Sequence, residues 1–124
     1  MAALMQTLAK AHIVDDQETE DQEIVEKALR ECARFYASDD ARTLTIFDRQ
    51  NGQFLLMDEG WDGFKHIHRV WVHVEMQDGK FWIQKDGTEE GIAVDLMNAG
   101  VPKERIVLAF QHPGRRQYSD FAVD

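Results

Sequence analysis

Ile67-His68-Arg69-Val70-Trp71-Val72-His73-Val74-Glu75-Met76-Gln77-Asp78-Gly79-Lys80-Phe81-Trp82-Ile83-Gln84 is the stretch that decides the fold class. Its apolar residues recur every second position, and Asp78-Gly79 interrupts them with a pair that tolerates positive φ. A two-residue turn there sets Met76 opposite Phe81 and Val74 opposite Ile83, which gives one apolar face. Gln77 with Lys80, Glu75 with Trp82, and His73 with Gln84 share the other face. That second face is mixed rather than wholly polar, so Trp71 and Trp82 read as cover for another element or as contacts for a partner.

The same period continues upstream. Thr43 to Asp48 and Phe54 to Asp58 read as strands around Gln50-Asn51-Gly52-Gln53, with a two-residue and a longer loop fitting comparably. Before them the period lengthens. Ile24, Ala28, Cys32 and Phe35, widened by Val25, Leu29 and Tyr36, mark an amphipathic helix from about Asp21 to Ala37, stopped by Ser38-Asp39-Asp40. Downstream, Thr88 is placed to cap a second helix, about Glu89 to Asn98, whose buried stripe is Ile92, Ala93, Leu96 and Met97. Gly100 suits the position just past its end, and Pro102 prevents continuation. Arg105 to Phe110 reads as a further strand, His112-Pro113-Gly114 as its end, and Asp120 to Val123 as a short strand-like piece. The order predicts an α+β fold: a mainly antiparallel sheet of two hairpins plus a further strand, with two principal helices packed on it.

Residues 1–20 read as an extension and residues 21–124 as one domain. Ala2 to Val14 is Ala- and Leu-rich and could form a short helix, while Asp15 to Asp21 reads as a linker or exposed turn. A chain of 124 residues can bury a sufficient core without disulfide or structural metal. The single cysteine, Cys32, has no partner within the chain and lies in the helical stripe, which predicts a reduced thiol and a cytoplasmic setting. No apolar run approaches ~18 residues, so no membrane-spanning helix is expected.

Net charge is -9. The first 40 residues hold ten acids and four bases, and the remaining 84 hold thirteen and ten. Such a chain repels phosphate backbones unless its bases cluster, so direct DNA binding is not expected from composition. The one dense basic-aromatic cluster is Arg115-Arg116 with Tyr118, which could hold a phosphate or an acidic patch, or simply be a solvated turn.

Other chemistry is thinly marked. His66 and His68, two apart on a strand, project to one face, and a metal there would need a further ligand such as His112 or Asp62; His73 is expected on the opposite face from His68. Asp58, Glu59 and Asp62 flank Gly60-Trp61, and Asp86, Glu89 and Glu90 flank Gly87-Thr88. Paired acids could act as acid and base, but turns and helix starts favour acids for capping alone. Gly60-Trp61-Asp62-Gly63 reads as a tight inter-strand connection, with Trp61 either a lid on the core or an interface anchor. No catalytic residue, cofactor or metal site is assigned. The candidate partner-binding residues are Trp61, Asp62, Trp71, Trp82, Asp86, Glu89, Arg115 and Arg116.

Four separated stretches, in order, carry a family resemblance: Gly60-Trp61-Asp62-Gly63; Trp82 to Ala93, reading WIQKDGTEEGIA; Gly100 to Phe110, reading GVPKERIVLAF; and Asp120 to Asp124, reading DFAVD. In these the chain resembles the fdxN-element excision controlling factors, the XisI proteins of cyanobacteria and some other bacteria, over about residues 21–124. The resemblance implies a non-catalytic accessory factor in the programmed excision of a DNA element. A separate site-specific recombinase performs the strand exchange, and a nuclease-like XisH protein is the usual companion. It leaves open an antitoxin-like inhibitor of that companion. A small ligand-binding domain or enzyme using Asp62, Asp86 and Glu89 in one cleft is the reading from a different class. A homo-oligomer is compatible with the aromatic-bearing second sheet face and exposed strand edges.

Overall fold

The computed structural model describes residues 16–124. The expected helix over Ala2 to Val14 lies outside the described residues. The elements in order are α1 (Asp16–Phe35), β1 (Ala41–Asp48), β2 (Gln53–Asp62), β3 (Lys65–Gln77), β4 (Lys80–Asp86), α2 (Ile92–Asn98), a 3₁₀ turn (Lys103–Arg105), β5 (Ile106–Val107) and α3 (Pro113–Arg116). The strands form one sheet in the order β1-β2-β3-β4-β5, antiparallel except for the parallel β4–β5 pair.

The β3–β4 hairpin carries the predicted register at Met76–Phe81, Val74–Ile83, Glu75–Trp82 and Gln77–Lys80. Asp78 at φ 54 and Gly79 at φ 73 make the turn, as the positive-φ requirement of a two-residue hairpin demands. His73 pairs with Lys85 rather than with Gln84, because a bulge falls between His73 and Val74. The β1–β2 hairpin takes the longer loop, closing with Asp48 opposite Gln53.

A second irregularity, between Leu56 and Met57 of β2, sets β3 one residue out of step: Leu56 pairs with Val72 and Met57 with Val70. The extra residue is Trp71, and the consecutive pair Trp71 and Val72 are therefore both buried. This reverses two expectations. Trp71 joins the helix-packed core instead of sharing a face with Trp82. His73 returns to the face of His66: it bonds Gln53, His66 bonds Glu59, and those two partners lie six residues apart on β2.

Both main helices cover one face of the sheet. Val25, Leu29 and Cys32 of α1 and Ile92 and Leu96 of α2 meet Phe54, Leu56, Val72, Val74, Phe81 and Ile83 in a single cluster. Helix α1 starts at Asp16, so Asp16 to Asp21 is helical and not a linker; no Gly or Pro interrupts it, and Asp16 and Glu18 suit the positive end of the helix dipole. Its buried polar side chains pin distant loops. Glu26 takes two bonds from Arg49, at 2.7 and 2.8 Å, and the Gln22 amide donates to the Arg49 carbonyl at 3.1 Å.

Helix α2 begins at Ile92, three residues later than expected, because Gly91 takes φ 95, a conformation that breaks a helix. At its other end Gly100 N–H bonds the Met97 carbonyl and Val101 N–H the Leu96 carbonyl, the paired bonds of a Schellman motif, with Gly100 where the sequence placed it. The strand expected over Arg105 to Phe110 shortens to Ile106–Val107. Lys103–Arg105 forms a 3₁₀ turn, and Ala109 N–H bonds the Val107 carbonyl in a tight turn that interrupts the ladder, although Phe110 N–H still reaches the Ile83 carbonyl of β4 at 3.1 Å. The terminal segment returns as a single bridge of Ala122 to Val107, and α3 replaces the expected loop after His112. Among the described residues no helix is long and apolar enough to cross a membrane.

Candidate functional site

The Gly-Trp-Asp-Gly motif does not form the turn expected of it. Gly60, Trp61 and Asp62 continue β2, Asp62 pairs with Lys65, and the turn is Gly63-Phe64, with Phe64 fully exposed at the tip. Trp61 is 56% exposed and stacks on His66, its partner across the strands, at a ring separation of 4.5 Å. The His66 ring lies 5.7 Å from that of His68. Its Nε2 is 3.3 Å from Glu59, whose other oxygen accepts from Arg42 Nε at 3.0 Å. The hydrogen bond from His66 first, and that from Arg42 second, hold the Glu59 carboxyl below its ordinary range. Among the described residues no group of three or more His, Cys, Asp or Glu side chains is placed to hold a metal ion.

The carboxylate of Asp86 is committed to the backbone. One oxygen accepts from Thr88 N–H at 2.9 Å and from the Thr88 hydroxyl at 2.6 Å, and the other accepts from Ile92 N–H at 2.8 Å. Thr88 in turn accepts from Gly91 N–H at 3.0 Å. The pair thus caps α2 from outside the helix. Glu89 lies in this loop, its N–H donating to the Tyr36 hydroxyl at 3.3 Å. Asp62 is far away: Asp86 pairs with Val72, which lies seven residues along β3 from Lys65, about 23 Å in extended chain. Asp62, Asp86 and Glu89 therefore do not share a cleft.

The other tryptophans separate as well. Trp71 is 8% exposed and meets Tyr36 edge-to-face at 5.7 Å, and its indole N–H has no acceptor among the described residues. It is a wall of the core, and only an edge of it reaches a cleft of about 470 Å³ beside Arg69 and Lys85. Trp82 is half-buried on the far side of the sheet, where its N–H donates to the Gln77 carbonyl at 3.1 Å and Arg116 lies over its ring at 6.0 Å. Arg116 is consumed locally, donating to the carbonyls of Gln111, Ala109 and Val123 at 3.0, 3.2 and 3.4 Å. Arg115 points elsewhere, lining a cleft of about 690 Å³ with Phe110, His112 and Tyr118. The two arginines do not converge into a clamp.

One acidic surface was not marked by the sequence. Glu31 of α1, Glu90 of the capping loop and Asp95 of α2 line a cleft of about 270 Å³ between the helices, beside Cys32 and Tyr36. Burial, and then the charges of Glu90, Asp86 and Glu31, raise the Asp95 carboxyl above its ordinary range. Burial and the charges of Asp95 and Asp86 push the Cys32 thiol up to about 12. At the rim stands Phe35, which the helical pattern places in the buried stripe but which is 77% exposed. It is the last residue of α1 and sits at the margin of the stripe, where packing is lost first. The signal available was the i, i+4 pair of Glu31 and Phe35.

The comparisons with known proteins agree with this fold. A family model described as XisI protein matches residues 15–123. A crystal structure of a XisI-like protein from Anabaena variabilis superposes with a TM-score of 0.80 at 35% identity, covering 86% of this chain and 99% of that one. The fdxN element excision controlling factor XisI from the same organism superposes with a TM-score of 0.78 at 30% identity, covering 88% of this chain and 100% of that one. No curated protein sequence matches this one.

Proposed function

The chain belongs to the XisI family, and from that premise we propose that it is an accessory factor controlling the excision of a DNA element, without itself catalysing strand exchange. The observation that carries this reading is the similarity across residues 15–123, joined to a solved relative that is an fdxN element excision controlling factor. The factor acts through a nuclease-related protein of the XisH type. The fate of its polar groups supports an accessory role: Asp86 caps a helix, Glu59 is bound by Arg42 and His66, and Arg116 holds the terminal segment. The acidic cleft of Glu31, Glu90 and Asp95, with Phe35 at its rim, fits a basic surface on the partner better than it fits a phosphate backbone.

The experiment is co-expression with a XisH-like protein, co-purification, and a nuclease assay on plasmid DNA with and without this chain. A stable complex with altered cleavage supports the reading, and suppressed cleavage makes the factor an inhibitor of its partner. Failure to form a complex, with duplex DNA bound directly in a strongly salt-dependent manner, overturns it.

A further inference from the structure

Among the described residues strand β1 bonds to β2 alone and forms one edge of the sheet. The Asp40 carbonyl accepts from Trp61 N–H, so by the alternation of an antiparallel ladder the even-numbered residues of β1 face β2. The N–H and C=O groups of Ala41, Thr43, Thr45 and Phe47 face outward. Natural sheets guard such an edge with Pro, Lys, a bulge or a very short strand. Here β1 is eight residues long, contains neither Pro nor Lys, pairs with β2 through eight consecutive positions without a break, and carries its two charges, Arg42 and Asp48, only toward its ends.

We infer that β1 is a homodimer interface, pairing antiparallel with β1 of a second copy about a two-fold axis at Thr45. The strand is complementary to itself in that register. Arg42 of each copy stands opposite Asp48 of the other, Leu44 opposite Ile46, Thr43 opposite Phe47, and Thr45 opposite its own symmetry mate. Opposite charges thus close both ends of an apolar centre, Arg42 through the guanidinium nitrogens that do not bond Glu59 and Asp48 through oxygens that also accept from Asn51, and the outward-facing backbone groups fall opposite one another as an antiparallel ladder requires. A register moved so that the axis lies at Leu44 would set Asp40 against Asp48, two like charges. The apolar centre also continues into each sheet. Leu44 lies beside Met57 and Ile46 beside Leu55, with Val70 beyond Met57, on the face that the helices leave open. The dimer joins two five-stranded sheets into one of ten strands and a single apolar band.

The test is light scattering on the purified chain at tens of micromolar, with two variants. Thr45→Pro removes an N–H that serves only the open edge, and Ile46→Lys places a charge in the apolar centre while leaving the backbone intact. The wild type is expected at twice the 14.3 kDa chain mass and both variants at 14.3 kDa, with circular dichroism spectra like the wild type's. Thr45→Cys is expected to cross-link to its mate under oxidation, since opposed residues of a bonded pair lie about 5.5 Å apart, within disulfide reach. Ala41→Cys is not. A monomeric wild type, or a dimer that survives Ile46→Lys and leaves Thr45→Cys uncrosslinked, overturns the proposal.

Discussion

Asp21 and Arg105, 84 residues apart in sequence, form a buried two-pronged ion pair. Asp21 is only 2% exposed, and both its oxygens meet the Arg105 guanidinium. Arg105 also donates to the Gly79 carbonyl at 2.9 Å and lies over the Phe81 ring. One side chain thus ties α1 to the β3–β4 turn and to the start of β5. Removing one partner leaves the other charged and buried, so Arg105→Ala is expected to lower stability by about 3–5 kcal/mol. Urea unfolding of the single variants and the Asp21→Asn/Arg105→Ala double variant checks this; the double variant should lose clearly less than the sum of the two.

Asp86 is the second structural anchor, and its removal should act locally. Asp86→Ala deprives Ile92 N–H and Thr88 of their acceptor, at a cost of about 1–2 kcal/mol. Amide hydrogen exchange should show the first turn of α2 losing protection while the β2–β3 ladder keeps it. If Asp86 were instead a binding residue, Asp86→Ala would leave exchange at Ile92 unchanged.

The Asp95 carboxyl gives the protein a pH dependence of defined sign. Its folded value is raised, first by burial and then by Glu90, Asp86 and Glu31, so between the unfolded and folded values the folded state holds the extra proton. This contribution favours folding at acid pH and is lost as pH rises through the folded value. Asp95→Asn is expected to raise the thermal midpoint at pH 7 and to narrow the gap as pH falls toward 4. A destabilised Asp95→Asn protein at pH 7 would contradict this.

Cys32 should be nearly inert. With its thiol pushed up to about 12 inside the core, the thiolate fraction at pH 8 is about three orders of magnitude below that of an ordinary cysteine near 8.5. Labelling by a disulfide reagent should therefore be slow in native buffer and immediate in denaturant. Rapid native labelling would show that the α1–α2 cleft opens readily.

Much of this architecture is legible in the sequence. Period-two alternation around Asp78-Gly79 yields the β3–β4 register at four successive pairs, and Gly100 marks the end of α2. The misplaced sheet faces have their origin in a bulge. Nothing at Leu56-Met57 or at Val70-Trp71-Val72 departs from good strand residues, yet the extra residue Trp71 inverts the faces of β3 on either side of it, and so Trp71 and His73 lie on the faces opposite to those that strict alternation predicts. Among the candidate residues, local patterning picked out Trp61 without deciding between core lid and interface anchor; it lies half-exposed, stacked on His66. Patterning could not say that Asp86 and Arg116 would be consumed by backbone groups. The acidic cleft was invisible for another reason: it joins α1 to a loop more than fifty residues later, where the Tyr36 hydroxyl meets Glu89 N–H, and no local period records such a meeting.

The most direct test of the account measures the affinity of this chain for the proposed XisH-like partner by titration calorimetry, with the wild type and with Glu31→Lys and Phe35→Ala. The cleft account predicts that each variant, folded as the wild type by circular dichroism, binds at least about tenfold more weakly, a loss of about 1.4 kcal/mol, and that wild-type affinity falls with added salt. Unchanged affinity for both variants, with no response to salt, would contradict it and move the partner contact away from the acidic cleft.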